Sequence, residues 1–289
     1  MAEPSHRIAV ITDSTSDLSP EVAAQNDVLI VPLYVIWGED QLRDGVDITK
    51  EAFYERLAND AASPSTSQPT PADFTEVYRQ VTERGAEEIV VITISDQLSG
   101  TYDSATAAAL HVDVPVHVMD SFSTSMGLGM QVLAATQVRD GGGSAREMLA
   151  AAERVRQRIR VYFAVSTLEY LHRGGRIGGA AKLLGTVLQL KPLLVLDNET
   201  GYIDAVERAR TWKKAMDRVY EVATDGLDPS RKVRSWVMHA AAPADAMALA
   251  ERINVAYNPA SMGMGQLSPV LGTHVGPGTV GMVMYDDED

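Results

Sequence analysis

Three short apolar runs in the first half of the chain open directly into polar, hydroxyl-bearing loops, and helical sequence follows each loop. "RIAVIT" (7–12) leads into "DSTSD", "EEIVVITI" (87–94) into "SDQLSGT", and "VPVHVMD" (114–120) into "SFSTS". Strands alternating with helices in this way predict a parallel sheet. In such a sheet the loops after the strands gather on one edge, where these folds bind ligands. A further β-rich run, "VLIVPLYVIW" (28–37), is expected to break or kink at Pro32.

The helices between these runs carry their own signals. In "TPADFTEVYRQVTERG", Thr70 caps, Pro71 takes the first helical position, Phe74, Val77, Tyr78 and Val81 form one apolar face, and Gly85 stops the helix. The run 126–139 reads as a buried helix, and Ser144 with Glu147 forms a capping box for the next one. The second half changes character. "RVYFAVST" (160–167) is a strand, a glycine- and cation-rich turn then leads into a helix to about Gln189, and "KPLLVLDNETGYIDAVERA" reads as two strands of a hairpin. The fold class expected is therefore α/β with two domains. Residues 1–160 form a parallel-sheet domain, and residues 161–289 an α+β domain with a mixed or antiparallel sheet.

Charge and composition exclude several functions. The net charge of −14 over 289 residues repels nucleic-acid phosphates, so no nucleic-acid partner is expected. With 0 cysteines there is no disulfide, thiolate or cysteine-zinc chemistry. No apolar run reaches the length of a membrane span, and no secretory signal is visible, which makes the cytoplasm the expected location. The P-loop, GxSxG, GxGxxG, HExxH and calcium-loop patterns are all missing.

What remains is a set of hydroxyls, arginines and one histidine. Ser99, Gly100 and Thr101 stand at a strand-to-helix turn, and the hydroxyl segment "SPSTSQPTP" (63–71) ends at a helix start. Taken singly, each such loop reads as helix capping. Taken together on one edge, with Gly100 letting a ligand approach the backbone, they read as an anion site. Arg173 and Arg176 flank Gly174–Gly175, a setting that suits oxyanion recognition or a solvated turn alike. His274, in "GTHVGPG", is expected in a glycine/proline loop facing a ligand. No nucleophile–base pair or metal set stands out, so neither catalytic nor metal-ligating residues are assigned.

These segments together resemble the DegV family over almost the whole chain. The resemblance rests on "ITDSTSDL", "TSQPTPADF", "ISDQLSGTYDSA", "VMDSFSTSMGLG", "LEYLHRGGRIGGAAKLLG", "ARTWKK" and "THVGPG" in that order. It implies a lipid carrier rather than an enzyme, holding one long-chain fatty acid between two domains without a further cofactor. It also implies a partner, the ATP-binding subunit of a fatty acid kinase, which phosphorylates the bound acid for phospholipid synthesis. On this resemblance Thr66, Ser99 and His274 would bind the carboxylate, Arg176 would sit beside the head group, and Arg210 would face the kinase. Trp212 interrupts the basic "ARTWKK" segment, and the chain is acidic overall, so any kinase-docking patch must be local. Met126, Met130, Met262 and Met264 are candidate tunnel lining. Two other readings compete: a serine-dependent acyl hydrolase or transferase using Ser99 and His274, and a phosphosugar- or nucleotide-binding module.

Overall fold

In the computed structural model, which describes residues 7–185, 190–228 and 230–286, the strands form three sheets. The first half runs β1 (Ile8–Asp13), α1 (Pro20–Gln25), β2 (Val28–Val31), β3 (Tyr34–Trp37), β4 (Asp40–Arg43), α2 (Lys50–Asn59), β5 (Ser65–Ser67), α3 (Pro71–Glu83), β6 (Glu88–Thr93), α4 (Thr101–Ala108), β7 (Val116–Asp120), α5 (Met126–Asp140) and α6 (Ala145–Arg158). The second half runs β8 (Arg160–Ala164), α7 (Glu169–Arg173), β9 (Lys191–Leu196), β10 (Ile203–Ala209), α8 (Trp212–Thr224), β11 (Val233–His239), α9 (Pro243–Tyr257), β12 (Ser261–Gln266), α10 (Pro269–Val275) and β13 (Val280–Asp286).

The first sheet is wholly parallel, in the order β2-β1-β6-β7. Both of its faces are covered, so its strands are apolar at nearly every position. Ile11, Val31 and Val91 pack with Phe74 and Tyr78 of α3. Val10, Val90 and Ile92 face Leu128 of α5 and Met148 of α6. The hydroxyl loops share one edge: Ile94 N–H donates to the Asp13 carboxylate (2.7 Å), and Ser95 N–H donates to the Ser123 carbonyl (2.9 Å).

The run 28–37 is not one kinked strand. Val28–Val31 belongs to the parallel sheet, and Tyr34–Trp37 is the centre of a small antiparallel sheet, β4-β3-β5. Pro32 removes a backbone donor where the chain changes sheets. The flanking strands, "DQLR" and "STS", have no apolar alternation, so this sheet was not anticipated from sequence.

The third sheet is mixed, in the order β10-β9-β8-β13-β11-β12, with only β11 and β12 parallel. The expected hairpin is β9–β10, with a bulge between Ala205 and Glu207. Side chains alternate between its faces. Val237 and Met282 pack in one core with Ala215 and Val219 of α8 and Leu249 and Ile253 of α9. Val161, Phe163, Leu194, Leu196, Met238 and Val283 join the same core as the α5/α6 side of the parallel sheet. The two sheets thus share a packed seam.

Two further expectations change. His274 lies in the last turn of α10 and not in a loop, because Ser268 caps that helix, Pro269 starts it, and Gly276 (φ +73) ends it. After Arg176 there is only a short 3-10 helix, Gly178–Leu183, and the remainder of the helix expected to reach Gln189 falls on residues 186–189, outside the described residues. Gly178 (φ +49) lies directly on β10, where a β-carbon would stand 2.3 Å from the Ile203 carbonyl oxygen. Among the described residues no helix is long and apolar enough to cross a membrane.

Candidate functional site

The seam between the sheets contains a narrow, partly open cavity. Most of its wall is apolar, with Val161 and Phe163 from β8, Leu196 and Met238 from the same sheet, and Val270 and Leu271 from α10. Eight polar side chains line it. Thr124, Ser125 and Thr279 are three of them, and the other five, Thr66, Gln68, Ser99, Arg176 and His274, are linked to one another.

A chain of contacts gathers these groups. Thr66, on β5 opposite Val35, places Oγ1 2.8 Å from His274 Nε2. Gly174 lies against the other side of the imidazole, where a β-carbon would stand 2.2 Å from Nδ1. The Gly174 carbonyl accepts a hydrogen bond from Arg176 Nη1 (2.8 Å), and Arg176 Nε donates to the Leu98 carbonyl (2.9 Å), next to Ser99. The two backbone carbonyls fix the guanidinium plane. Among the described residues no carboxylate pairs with Arg176.

The Ser99 hydroxyl does not cap α4. The N-cap is Gly100, which has no side-chain cap bond, and Ser99 Oγ lies 2.8 Å from Thr101 Oγ1. Gly100 itself is not in the cavity wall. Its open face holds the Gln68 amide, whose Nε2 donates to the Gly100 carbonyl (3.1 Å) and to Ser104 Oγ (3.3 Å). The expected approach of a ligand to Gly100 therefore gives way to Gln68, a residue not singled out from sequence although it belongs to the "TSQP" segment.

Remote parts of the chain clamp α10, and with it His274. The Asp17 carboxylate accepts from Ser268 N–H (2.9 Å), Lys50 Nζ (3.0 Å) and Ser125 Oγ (2.6 Å). Lys50 Nζ also donates to the Gln266 carbonyl (2.7 Å), and Tyr54 Oη donates to the Leu267 carbonyl (3.2 Å). Nearby Asp44 is buried, and that burial pushes its carboxyl up to about 7.

Burial, with a smaller contribution from the Arg176 charge, holds His274 down to about 4, so the imidazole is neutral near pH 7. Its Nδ1 is buried, with no hydrogen-bond partner among the described residues. The site thus offers hydroxyls, a neutral imidazole and a fixed cation, an arrangement suited to accepting an anionic oxygen. It is poorly arranged for nucleophilic attack. Ser99 pairs with Thr101, His274 pairs with Thr66, and no carboxylate orients Nδ1. Among the described residues no group of three or more His, Asp or Glu is placed to hold a metal ion.

The remaining expectations fall elsewhere in the molecule. Arg210 is exposed, at the turn before α8, outside the cavity lining. None of the four methionines expected in the tunnel lines this cavity. Met126 and Met130 line a separate cleft, Met262 packs against the α8/α9 core, and Met264 is 39% exposed. The methionine in the wall is Met238.

The sequence profile of the DegV family, a family described as uncharacterised proteins, matches residues 7–287. A DegV domain-containing protein of Streptomyces coelicolor is 39% identical over 281 residues, which is 97% of this chain and 99% of that protein. Among solved structures, a fatty-acid-binding DegV family protein of Thermus thermophilus superposes with a TM-score of 0.89 at 38% identity, covering 97% of this chain and 100% of its own. DegV of Bacillus subtilis, a fatty acid binding protein, superposes at 0.90 with 30% identity, covering 98% and 100%.

Proposed function

The chain belongs to the DegV family, and from that premise we propose that it binds one long-chain fatty acid and presents the carboxylate to a separate ATP-dependent fatty acid kinase. The observation that carries this reading is the cavity itself, mostly apolar, with Thr66, Ser99, Arg176 and His274 drawn together at one place. An acyl tail gains roughly 0.8 kcal/mol per buried CH₂, so the tail supplies most of the affinity. The head group needs only register. Thr66 and Ser99 donate O–H bonds to the carboxylate, and Arg176 balances its charge. The reading divides the chain into domains 1–160 and 161–289, with the acid along their seam. The chain serves as a non-catalytic carrier in this scheme, and the phosphoryl transfer belongs to the kinase.

Native mass spectrometry of protein purified from cells tests the binding step. The expected result is a bound mass of a C16–C18 acid. Protein that arrives empty and takes up no acid after delipidation overturns it. The kinase step rests on the exposed cation Arg210. Arg210→Ala is expected to impair acyl-phosphate formation while leaving acid binding intact, and equal loss of both would move Arg210 into the ligand shell.

A further inference from the structure

A second apolar space begins where the cavity ends. It is a cleft on the same seam, lined by Leu18, Val22, Met126, Met130 and Leu133 from the first half and by Trp236 from the third sheet, with Gln137, Arg234 and Tyr285 also in its wall. Both walls place it next to the cavity. On the wall from the first half, Ser125 lines the cavity and the next residue, Met126, lines the cleft. On the sheet wall, Met238 lines the cavity, and Trp236 lines the cleft on the same face of β11, about 7 Å along the strand.

Met238 in the cavity wall and Met126 in the cleft wall are both buried (5% and 4% exposed). Met238 lies over Gly281, where a β-carbon would stand 2.7 Å from its Cε. Methionine is unbranched and changes rotamer at small cost, so a partition made of it yields to an entering chain. The cleft is also kept open by sequence. Gly263 and Gly265 of β12 let the Trp236 indole lie flat on the strand, and a β-carbon at Gly263 would stand 1.9 Å from that ring. A side chain there would drive the indole off the strand.

We propose that this cleft is a second chamber of the acyl tunnel, closed off here by Met126 and Met238, and that it takes the methyl end of acyl chains too long for the inner cavity. The inference rests on the reading of the cavity as a fatty acid site. A chain of modest length ends against the two methionines. A longer one turns them aside and lies between α5 and Trp236.

The test is a competition. Delipidated protein is offered an equimolar mixture of saturated acids from C12 to C22, and native mass spectrometry reads which lengths are retained. Met238→Ala removes three heavy atoms from the partition, and the longest acid retained should rise by about three carbons; Met126→Ala should act in the same direction and serves if the first variant folds poorly. Ala134→Trp and Gly263→Ala fill the cleft from outside without touching the inner cavity, and both should remove the longest acids while sparing the shorter ones. Ala134→Trp combined with Met238→Ala should cancel the gain. Identical length profiles in wild type and all folded variants, with acids still bound, would overturn the second chamber and leave the fatty acid reading intact. Failure of every protein, wild type included, to take up any acid would overturn that reading and the chamber with it.

Discussion

Gly174→Ala isolates the contribution of His274. Gly174 has φ −76 and ψ −5, a conformation any residue adopts, so the substitution brings no backbone strain. Its β-carbon, however, would stand 2.2 Å from His274 Nδ1 and 2.8 Å from Cε1, where ordinary contact begins near 3.4 Å. The ring must withdraw by roughly 1.2 Å, more than a 2.8 Å hydrogen bond to Thr66 absorbs. Losing that bond in a buried setting costs the fold about 1–3 kcal/mol, and the displaced imidazole leaves the head-group site, so affinity falls as well. Gly175→Ala is the control. Its φ of +71 makes alanine strained by roughly 1–2 kcal/mol, but nothing lies within 4 Å of the new β-carbon. Displacement of a fluorescent fatty acid by oleate, run beside thermal unfolding, separates the two. Gly174→Ala should lose both Tm and binding, whereas Gly175→Ala should lose Tm and keep binding. Oleate affinity within about twofold of wild type in folded Gly174→Ala would refute the role given to His274.

Ser99→Ala and Thr66→Ala should each weaken oleate binding by about 1 kcal/mol, read by calorimetry, and an unchanged affinity in the double variant would remove both hydroxyls from the head-group site. Arg176→Lys cannot satisfy the Leu98 and Gly174 carbonyls with one fixed plane, so acid affinity should fall; Arg176→Ala should raise the His274 pKa seen by NMR, because that charge helps depress it. The depressed His274 also makes stability pH-dependent. The folded ring titrates near 4 and the unfolded one near 6.5, so this contribution is complete above pH 6.5 and is lost as pH falls toward 4, by about 3 kcal/mol. Asp44, raised to about 7, works in the opposite direction, since its contribution is present below its unfolded pKa and is lost as pH rises through 7. The comparison of wild type with His274→Gln in urea titrations at pH 4 and pH 7 isolates the histidine, and an identical pH profile in the two would contradict a buried neutral ring.

Three strands of the parallel sheet are legible because they are apolar on both faces and end in hydroxyl loops; β2 has no such loop and runs on through Pro32 toward β3. The capped helices starting after Thr70 and Ser144 were legible for the same local reason. The small β4-β3-β5 sheet was not, because "STS" and "DQLR" carry no pattern and pair only through β3. His274 was identified but set in a loop, although Ser268, Pro269 and Gly276 are ordinary helix punctuation. Gln68 and Met238 were missed for a different reason. Their roles depend on which side chains meet across the seam, and that follows from sheet order, which local spacing does not encode. Residue type alone does not say which cavity a methionine faces, so Met126, Met130, Met262 and Met264 are not distinguished from Met238 by sequence.

The clamp that joins Asp17, Lys50 and Ser268 has a consequence for how the protein comes into being. The imidazole and three wall residues of the pocket ride on a two-turn helix near the last strand, and the hooks that hold this helix come from Asp17, Lys50 and Tyr54. A chain still on the ribosome has already made Thr66, Ser99 and Arg176 but owns no complete recognition end until residue 274 has emerged and swung back to the beginning. On the proposed reading, a bound acid would couple segments of the chain more than 200 residues apart.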